Sequence, residues 1–363
     1  SLPLFFVIVF GQFMSMLGTG LTAFALGTWV YIQTGSVTEF AYISVFALLP
    51  GILVLPFAGA LVDRWDRRLI LMLSDAISVC GTLFIFFTLW TGELQFWKIY
   101  TVVAISSIGQ AFQRPAYIAT IAQLVPKKYL GRANGLAQLA SSTSQVIAVF
   151  AGGYLFLEVG LQNVLILDIA AFCVAFTTLL LIRFPNRMFK KRELPILREI
   201  VEGWQYILQR KEMLAMVVFF AVYNFAFSAI MVLGTPLVLS VGKADLLGQV
   251  LAFDGIGQLA GGLIMGIWGG TKLRAHGMIG FTLLTGVSMI IAGIQANQFY
   301  LMAGFFGIGM SLALVNAHWQ CLIQVKVGLE LQGRVIATNQ MMSWSMMPLA
   351  YFLIGHLAEN VVE

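Results

Sequence analysis

The sequence has 363 residues, 60% of them hydrophobic and only 10% charged, against about 25% charged residues in ordinary soluble domains. With a mean hydropathy of +0.90, it has too few polar groups to cover its own surface, which excludes a soluble enzyme or binding module. The net charge of +5 sorts by loop and makes no case for nucleic acid.

Apolar runs near or above the roughly 18–20 residues that cross a bilayer are predicted at 4–32, 41–61, 69–91, 99–124, 136–157, 164–182, 213–241, 246–268, 278–295, 299–323 and 335–357, eleven spans in all. Lipid offers backbone groups no partner, and the alternating pattern of an outer-membrane barrel is absent, so the spans are predicted to be helices. The first run is too long for a signal-peptide core, and no small-residue cleavage site follows it. Cys80, Cys173 and Cys321 all fall inside spans and read as small packing residues rather than a disulfide or metal framework.

Eighteen of the 21 Lys and Arg residues fall in alternate loops: Arg64, Arg67 and Arg68; Lys127, Lys128 and Arg132; the stretch from Arg183 to Lys211; Lys272 and Arg274; Lys326 and Arg334. The positive-inside rule makes those loops cytoplasmic, and with them the N-terminus. An odd number of spans sits badly with a chain built from two like halves, so a twelfth is expected beyond the end of this sequence.

The longest polar stretch, 183–212, divides the chain into six spans and five. Within it, Leu197, Ile200, Val201, Trp204, Ile207 and Leu208 recur at helical spacing, with Arg198, Glu199, Glu202, Gln205 and Gln209 assigned to the other face. This predicts a helix lying on the cytoplasmic leaflet, the alternative being a plain linker helix. An internal repeat supports the division. Gln123-Leu-Val-Pro-Lys-Lys-Tyr-Leu-Gly-Arg132 and Gln324-Val-Lys-Val-Gly-Leu-Glu-Leu-Gln-Gly-Arg334 each follow the fourth span of their half.

The sharpest local pattern is Gly59-Ala-Leu-Val-Asp63-Arg64-Trp-Asp66-Arg67-Arg68. Gly59 permits close helix approach, Asp63 can accept from a neighbouring helix N-terminus, and the arginines are expected to hold the cytoplasmic leaflet. This ordered turn between the second and third spans closely resembles the loop motif of the major facilitator superfamily. Gly109-Gln-Ala-Phe-Gln-Arg-Pro115-Ala116, Leu124-Val-Pro, Gly131-Arg-Ala-Asn134, Ile166-Leu-Asp168, Ile196-Leu-Arg-Glu199 and Gly333-Arg-Val335 are similar to the branch of macrolide-efflux and siderophore-export proteins. The second-half counterpart, Gly269-Gly270-Thr-Lys272-Leu-Arg274, is degenerate, and the central stretch 144–153 of the fifth span lacks the Gly-Pro pair of drug antiporters.

Charges within spans are expensive, so each is a functional candidate. Asp75 and Arg114 lie at matching depth on the third and fourth spans and are expected to pair, either pinning two helices or gating them. Asp168 opens the sixth span and reads as a cap or first-turn acid near the outer surface. Asp254 lies well inside the eighth span with no basic residue of its half at that depth. It is the candidate for carrying a coupled proton, the alternative being an acid hydrogen-bonded to its neighbours or solvated in an outer vestibule. Gln12, Gln110, Asn224, Asn316 and His318 are candidates to line a substrate cavity, with Phe225, Trp319 and Trp344 as apolar walls.

The resemblance implies an all-α polytopic fold of two pseudo-symmetric six-helix bundles: residues 1–184, a linker at 185–212, and 213–363 with five spans visible. It implies a secondary transporter in the plasma (inner) membrane that exports a lipophilic small molecule by alternating access, with a proton as coupling ion and membrane lipids as surroundings. The runners-up are a lysophospholipid or siderophore transporter and a non-transporting membrane scaffold. No cofactor, metal ion or nucleic-acid partner is expected, and no enzyme or nucleotide-binding signature is present.

Overall fold

A computed structural model describes residues 2–34, 37–181, 195–241, 244–295 and 297–347. The helices are α1 (Leu2–Thr34), α2 (Val37–Arg64), α3 (Arg67–Trp90), α4 (Phe96–Leu124), α5 (Leu130–Leu181), α6 (Ile196–Gln209), α7 (Lys211–Val241), α8 (Ala244–Trp268), α9 (Arg274–Ile294), α10 (Gln298–Lys326) and α11 (Gln332–Trp344). A short 3-10 turn, Lys127–Tyr129, precedes α5. Among the described residues there is no strand, and eight helices are long and apolar enough to cross a membrane. Ten of the predicted spans fall within these helices, overrunning an end by at most one residue, and the eleventh runs past residue 347, outside the described residues; Lys190, Lys191 and Arg192 of the polar stretch 183–212 also lie outside them.

Helix ends follow local chemistry. The Asp66 carboxylate accepts from the Arg68 N–H at 2.9 Å and caps α3, and Asn297 caps α10 by accepting from the Phe299 N–H at 2.9 Å. Gly269 and Gly270 have φ near +82° and +83° and end α8 in a conformation that side chains with a Cβ resist.

The chain divides into two compact units: Ser1–Pro126, Thr143–Ile196 and Leu329–Arg334 in the first, and Lys127–Ser142, Leu197–Gly328 and Val335–Glu363 in the second. This departs from a simple cut at the linker in two places. The two displaced segments, 127–142 and 329–334, include the closing Gly-Arg of each sequence repeat.

In the first unit, glycine contacts give the directions of the helices. Gly51 of α2 lies against Ser107 of α4, while Gly81 and Gly109 set α3 against α4 in antiparallel register. α5 is two helices in one: Gly160, at φ 78° and ψ 168°, reverses the chain. Gly20 meets Ala148 and Gly152 meets Phe24 on the first arm, whereas Gly18 meets Asp168 and Gly11 meets Thr178 on the second. Both arms therefore run along α1 in opposite directions, which is how the fifth and sixth spans form without a loop. A core of Leu21, Ala25, Val30, Ile85, Ile99 and Leu165 closes this end.

The second unit repeats the pattern. α8 and α10 run parallel, with Gly257 and Gly261 against 306–313, and α9 and α10 run antiparallel through Gly304 beside Ala292 and a Thr285 to Ser311 hydrogen bond of 2.9 Å. A Cβ at Gly257 would land on the Phe306 carbonyl. Gly257→Leu should therefore separate α8 from α10 and cost about 1–3 kcal/mol or more. A lower unfolding midpoint of the purified protein in detergent would register it, and an unchanged midpoint would contradict the close approach.

Candidate functional site

The Gly59–Arg68 turn is built as a clasp inside the first unit. The Asp63 side chain is 1% exposed, as is that of Arg334. Its Oδ1 accepts from the Gly333 N–H at 2.8 Å and its Oδ2 from the Arg334 N–H at 3.1 Å, with Arg334 Nε 3.3 Å away. The carboxylate thus sits on the first turn of α11, where unpaired N–H groups and the helix dipole favour an anion. A Cβ at Gly333 would strike both Asp63 and the Gly59 carbonyl, so this approach requires glycine at 333.

The arginines depart from expectation. Arg67 is buried, and its guanidinium donates to the Ala119 carbonyl at 2.8 Å and the Leu329 carbonyl at 2.8 Å. Arg68 donates to the Leu179 and Leu180 carbonyls at 2.7 and 2.8 Å, at the C-terminal end of α5. Carbonyls in the last turn of a helix lack intrahelical partners and attract cations, which suits Arg68. Both guanidiniums therefore bond protein carbonyls. Arg64 is half-buried at the last position of α2.

The expected Asp75–Arg114 pair is not formed. Asp75, 2% exposed, accepts at Oδ1 from Ser15 Oγ and Gln113 Nε2, both at 2.6 Å. Gln113 Nε2 also lies 3.2 Å from Gln12 Oε1. Arg114 follows Gln113 by about 100° around α4 and is exposed, on the same face as Gln110. Depth along the helices was read correctly, but rotation about α4 was not. Gln113→Leu should cost about 1–3 kcal/mol by removing one of two donors to the buried Asp75 carboxylate and the donor to buried Gln12 Oε1, seen as a lower unfolding midpoint. Arg114→Gln leaves both of those hydrogen bonds in place and should not reproduce that loss.

Asp168 is also not a cap. It lies two turns past Gly160, is buried, and accepts at Oδ2 from Thr22 at 2.8 Å and Thr82 at 2.7 Å, tying α1, α3 and the second arm of α5 together. Gln12, placed in a cavity wall by the sequence, is 1% exposed and belongs to the Asp75 cluster instead.

In the second unit, Asp254 is half-buried and accepts at Oδ2 from Gln258 Nε2 at 2.8 Å. Gln258 Oε1 lies 3.4 Å from Ser142 Oγ, which lies 3.3 Å from Gln138 Nε2, so the carboxylate ends a polar chain running from α5 to α8. Gly309 of α10 lies against the Asp254 carbonyl and Oδ1. The carboxylate is therefore set among helices, not in an outer loop.

His318 is fully buried, with both ring nitrogens engaged: Nδ1 bonds the Leu314 carbonyl at 2.8 Å and Nε2 accepts from the Thr271 N–H at 3.2 Å. It pins the degenerate Gly269–Arg274 turn and has no polar atom left for a substrate. Trp319 is likewise buried, its ring 4.7 Å from that of Phe220. Asn224 is half-buried, with Nδ2 3.4 Å from the Ser343 carbonyl, and Asn316, Phe225 and Trp344 are half-buried.

Sequence reasoning missed Gln113, Ser15, Thr22, Thr82 and Gln258. The signals were present as a polar stripe at 12, 15 and 22 of α1, and as the i,i+4 spacing of Asp254 and Gln258. It also singled out Asn134 and Gln324 separately without pairing them. Their amides bond each other, Asn134 Nδ2 to Gln324 Oε1 at 2.6 Å and Gln324 Nε2 to Asn134 Oδ1 at 3.3 Å.

Known proteins resemble this chain over nearly its whole length. Macrolide efflux protein A of Streptococcus pyogenes is 26% identical over 372 aligned residues, spanning 98% of this chain and 90% of that protein. The multidrug efflux pump Tap of Mycolicibacterium fortuitum is 20% identical over 97% of this chain and 88% of its own length. Among solved structures, the E. coli fucose:proton symporter superposes with a TM-score of 0.75 at 12% identity, covering 99% of this chain and 92% of that one. The model of the Major Facilitator Superfamily matches residues 8–351, so this chain belongs to that superfamily and is a multi-pass membrane transporter rather than an enzyme.

Proposed function

We propose that this transporter exports a lipophilic small molecule, a macrolide-like drug or natural product, in exchange for entering protons. The observation that carries the substrate class is the similarity to macrolide efflux protein A over 98% of the chain. On this reading the protein sits in the plasma membrane with its N-terminus cytoplasmic, as the loop charges require. Residues 1–184 and 213–363 are the two halves, joined by a linker at 185–212.

The clasp of Asp63 on the first turn of α11 acts as a gate: it forms in one conformation and breaks in the other. Gly59 and Gly333 permit the approach, and Arg67 and Arg68 fix the turn from which Asp63 projects. Asp254 carries the coupled proton. The Gln258 side chain that bonds it is a neutral amide, so the charge Asp254 gains or loses is not cancelled within that bond. Gln110, Asn224 and Asn316 are the polar groups offered to substrate, with Arg114 on the face of Gln110.

Proteoliposomes loaded with a radiolabelled macrolide and given an inward-directed proton gradient test this. Gradient-dependent export that collapses with a protonophore is expected. Export that is indifferent to the gradient would remove the coupling, and no movement across a panel of macrolides would remove the substrate class.

A further inference from the structure

Where α6, α7 and α10 meet, the second unit has a cavity of about 470 Å³ that none of the transport machinery uses. Its lining includes Arg210, Lys211 and Lys326, which are exposed and make the rim, and Met213, Met216 and Leu322, which are buried or half-buried and make the floor. One acid, Glu212, faces these three cations, and it is bonded to Lys326 at 3.2 Å. The Arg210 guanidinium lies 3.6 Å over the Tyr206 ring, which fixes one cation at the mouth.

The sequence placed Leu197, Val201 and Leu208 on the face of α6 meant for the leaflet and Glu199 on the other face; Glu199 is 0% exposed and lies inward with Gly203 and Ile207. Leu197, Val201 and Leu208 are 69%, 49% and 53% exposed. Only Arg210 separates α6 from α7, a helix apolar enough to span. An apolar face so close to the start of a span lies at the level of the lipid headgroups.

A basic rim over an apolar floor at that depth complements one class of molecule. We propose that the cavity binds the headgroup of an anionic glycerophospholipid, its phosphodiester against Arg210, Lys211 and Lys326 and the start of its acyl chains over Met213, Met216 and Leu322. That the leaflet is the cytoplasmic one follows from the topology proposed above; the binding itself does not depend on it, or on what is transported.

Native mass spectrometry of the full chain in detergent, titrated with phosphatidylglycerol or phosphatidylcholine, tests the site. The unsubstituted protein should retain phosphatidylglycerol selectively. Arg210→Gln, Lys211→Gln and Lys326→Gln should each weaken retention about fivefold, and the triple variant should fall to the level of phosphatidylcholine. Lys127→Gln with Lys128→Gln, exposed cations elsewhere, should change nothing. Full retention by the triple variant, or an equal loss in the Lys127/Lys128 control, would overturn the site. Displacement by millimolar inorganic phosphate would overturn the lipid assignment in favour of a free-phosphate site.

Discussion

Asp63→Asn should lower macrolide export at least tenfold while the protein still inserts in the membrane and purifies as a monodisperse species. The carboxylate accepts two backbone N–H groups and faces the Arg334 guanidinium with both side chains 1% exposed. Asparagine keeps the shape but presents one carbonyl and one amide N–H₂, so one of the two backbone donors meets another donor. The Arg334 guanidinium loses the negative charge it faces. Hydrogen bonds to charged groups contribute about 1.5–3 kcal/mol, and breaking a buried pair costs about 3–5 kcal/mol. Even the lower figure is about a tenfold change in a two-state equilibrium, and a cycle that must visit both states slows when one is depopulated. Export at the unsubstituted rate in proteoliposomes would show that the clasp is not part of the cycle.

Asp254→Asn should abolish uphill export driven by a proton gradient yet permit downhill exchange. Coupling needs a group that binds a proton in one conformation and releases it in another, and a carboxylate among helices whose surroundings alternate between wet and dry meets that need. Asparagine mimics the protonated form permanently. Its amide can still bond Gln258, so α8 need not be disturbed, and movement of substrate down its own gradient survives. Two proteoliposome measurements separate the outcomes: accumulation against a gradient with an imposed pH difference, and counterflow of labelled substrate without one. Preserved accumulation would remove Asp254 from coupling, and loss of counterflow as well would mean that the residue is structural.

Span positions were legible because hydrophobic run length maps directly onto helix length, and the Gly59–Arg68 turn was legible because its residues are contiguous, whereas the Gly333 and Arg334 N–H groups that Asp63 accepts from lie 270 and 271 positions away and were not paired with it. What the sequence hid was rotation about the helix axis. Asp75 and Arg114 were matched for depth, but Gln113, one residue earlier, has the orientation that reaches the carboxylate. The same blindness gave no sign that Glu199, on the polar face of α6, is buried. Most spans of this chain are apolar on every side, so their sequence marks no inward face. In α6 the apolar and polar faces are well separated, and Leu197, Val201 and Leu208 of the apolar face are the exposed ones. His318 was misread for a different reason. A buried imidazole in a span reads as functional from sequence, and only the Thr271 N–H, brought by a turn 47 residues away in the chain, shows that its second nitrogen is taken.

The reversal at Gly160 has a mechanical consequence. One residue out of helical conformation joins the two arms of α5, so the connection contains no slack. A helical pair joined by a loop can slide or splay by extending the loop, whereas these arms can only pivot together about a single pair of backbone dihedrals. Displacing the end of the first arm therefore displaces the start of the second, the arm that carries Asp168 and its bonds to Thr22 and Thr82. Two or three inserted residues after Gly160 would act as a mechanical fuse, leaving each arm folded against α1 while releasing one from the motion of the other.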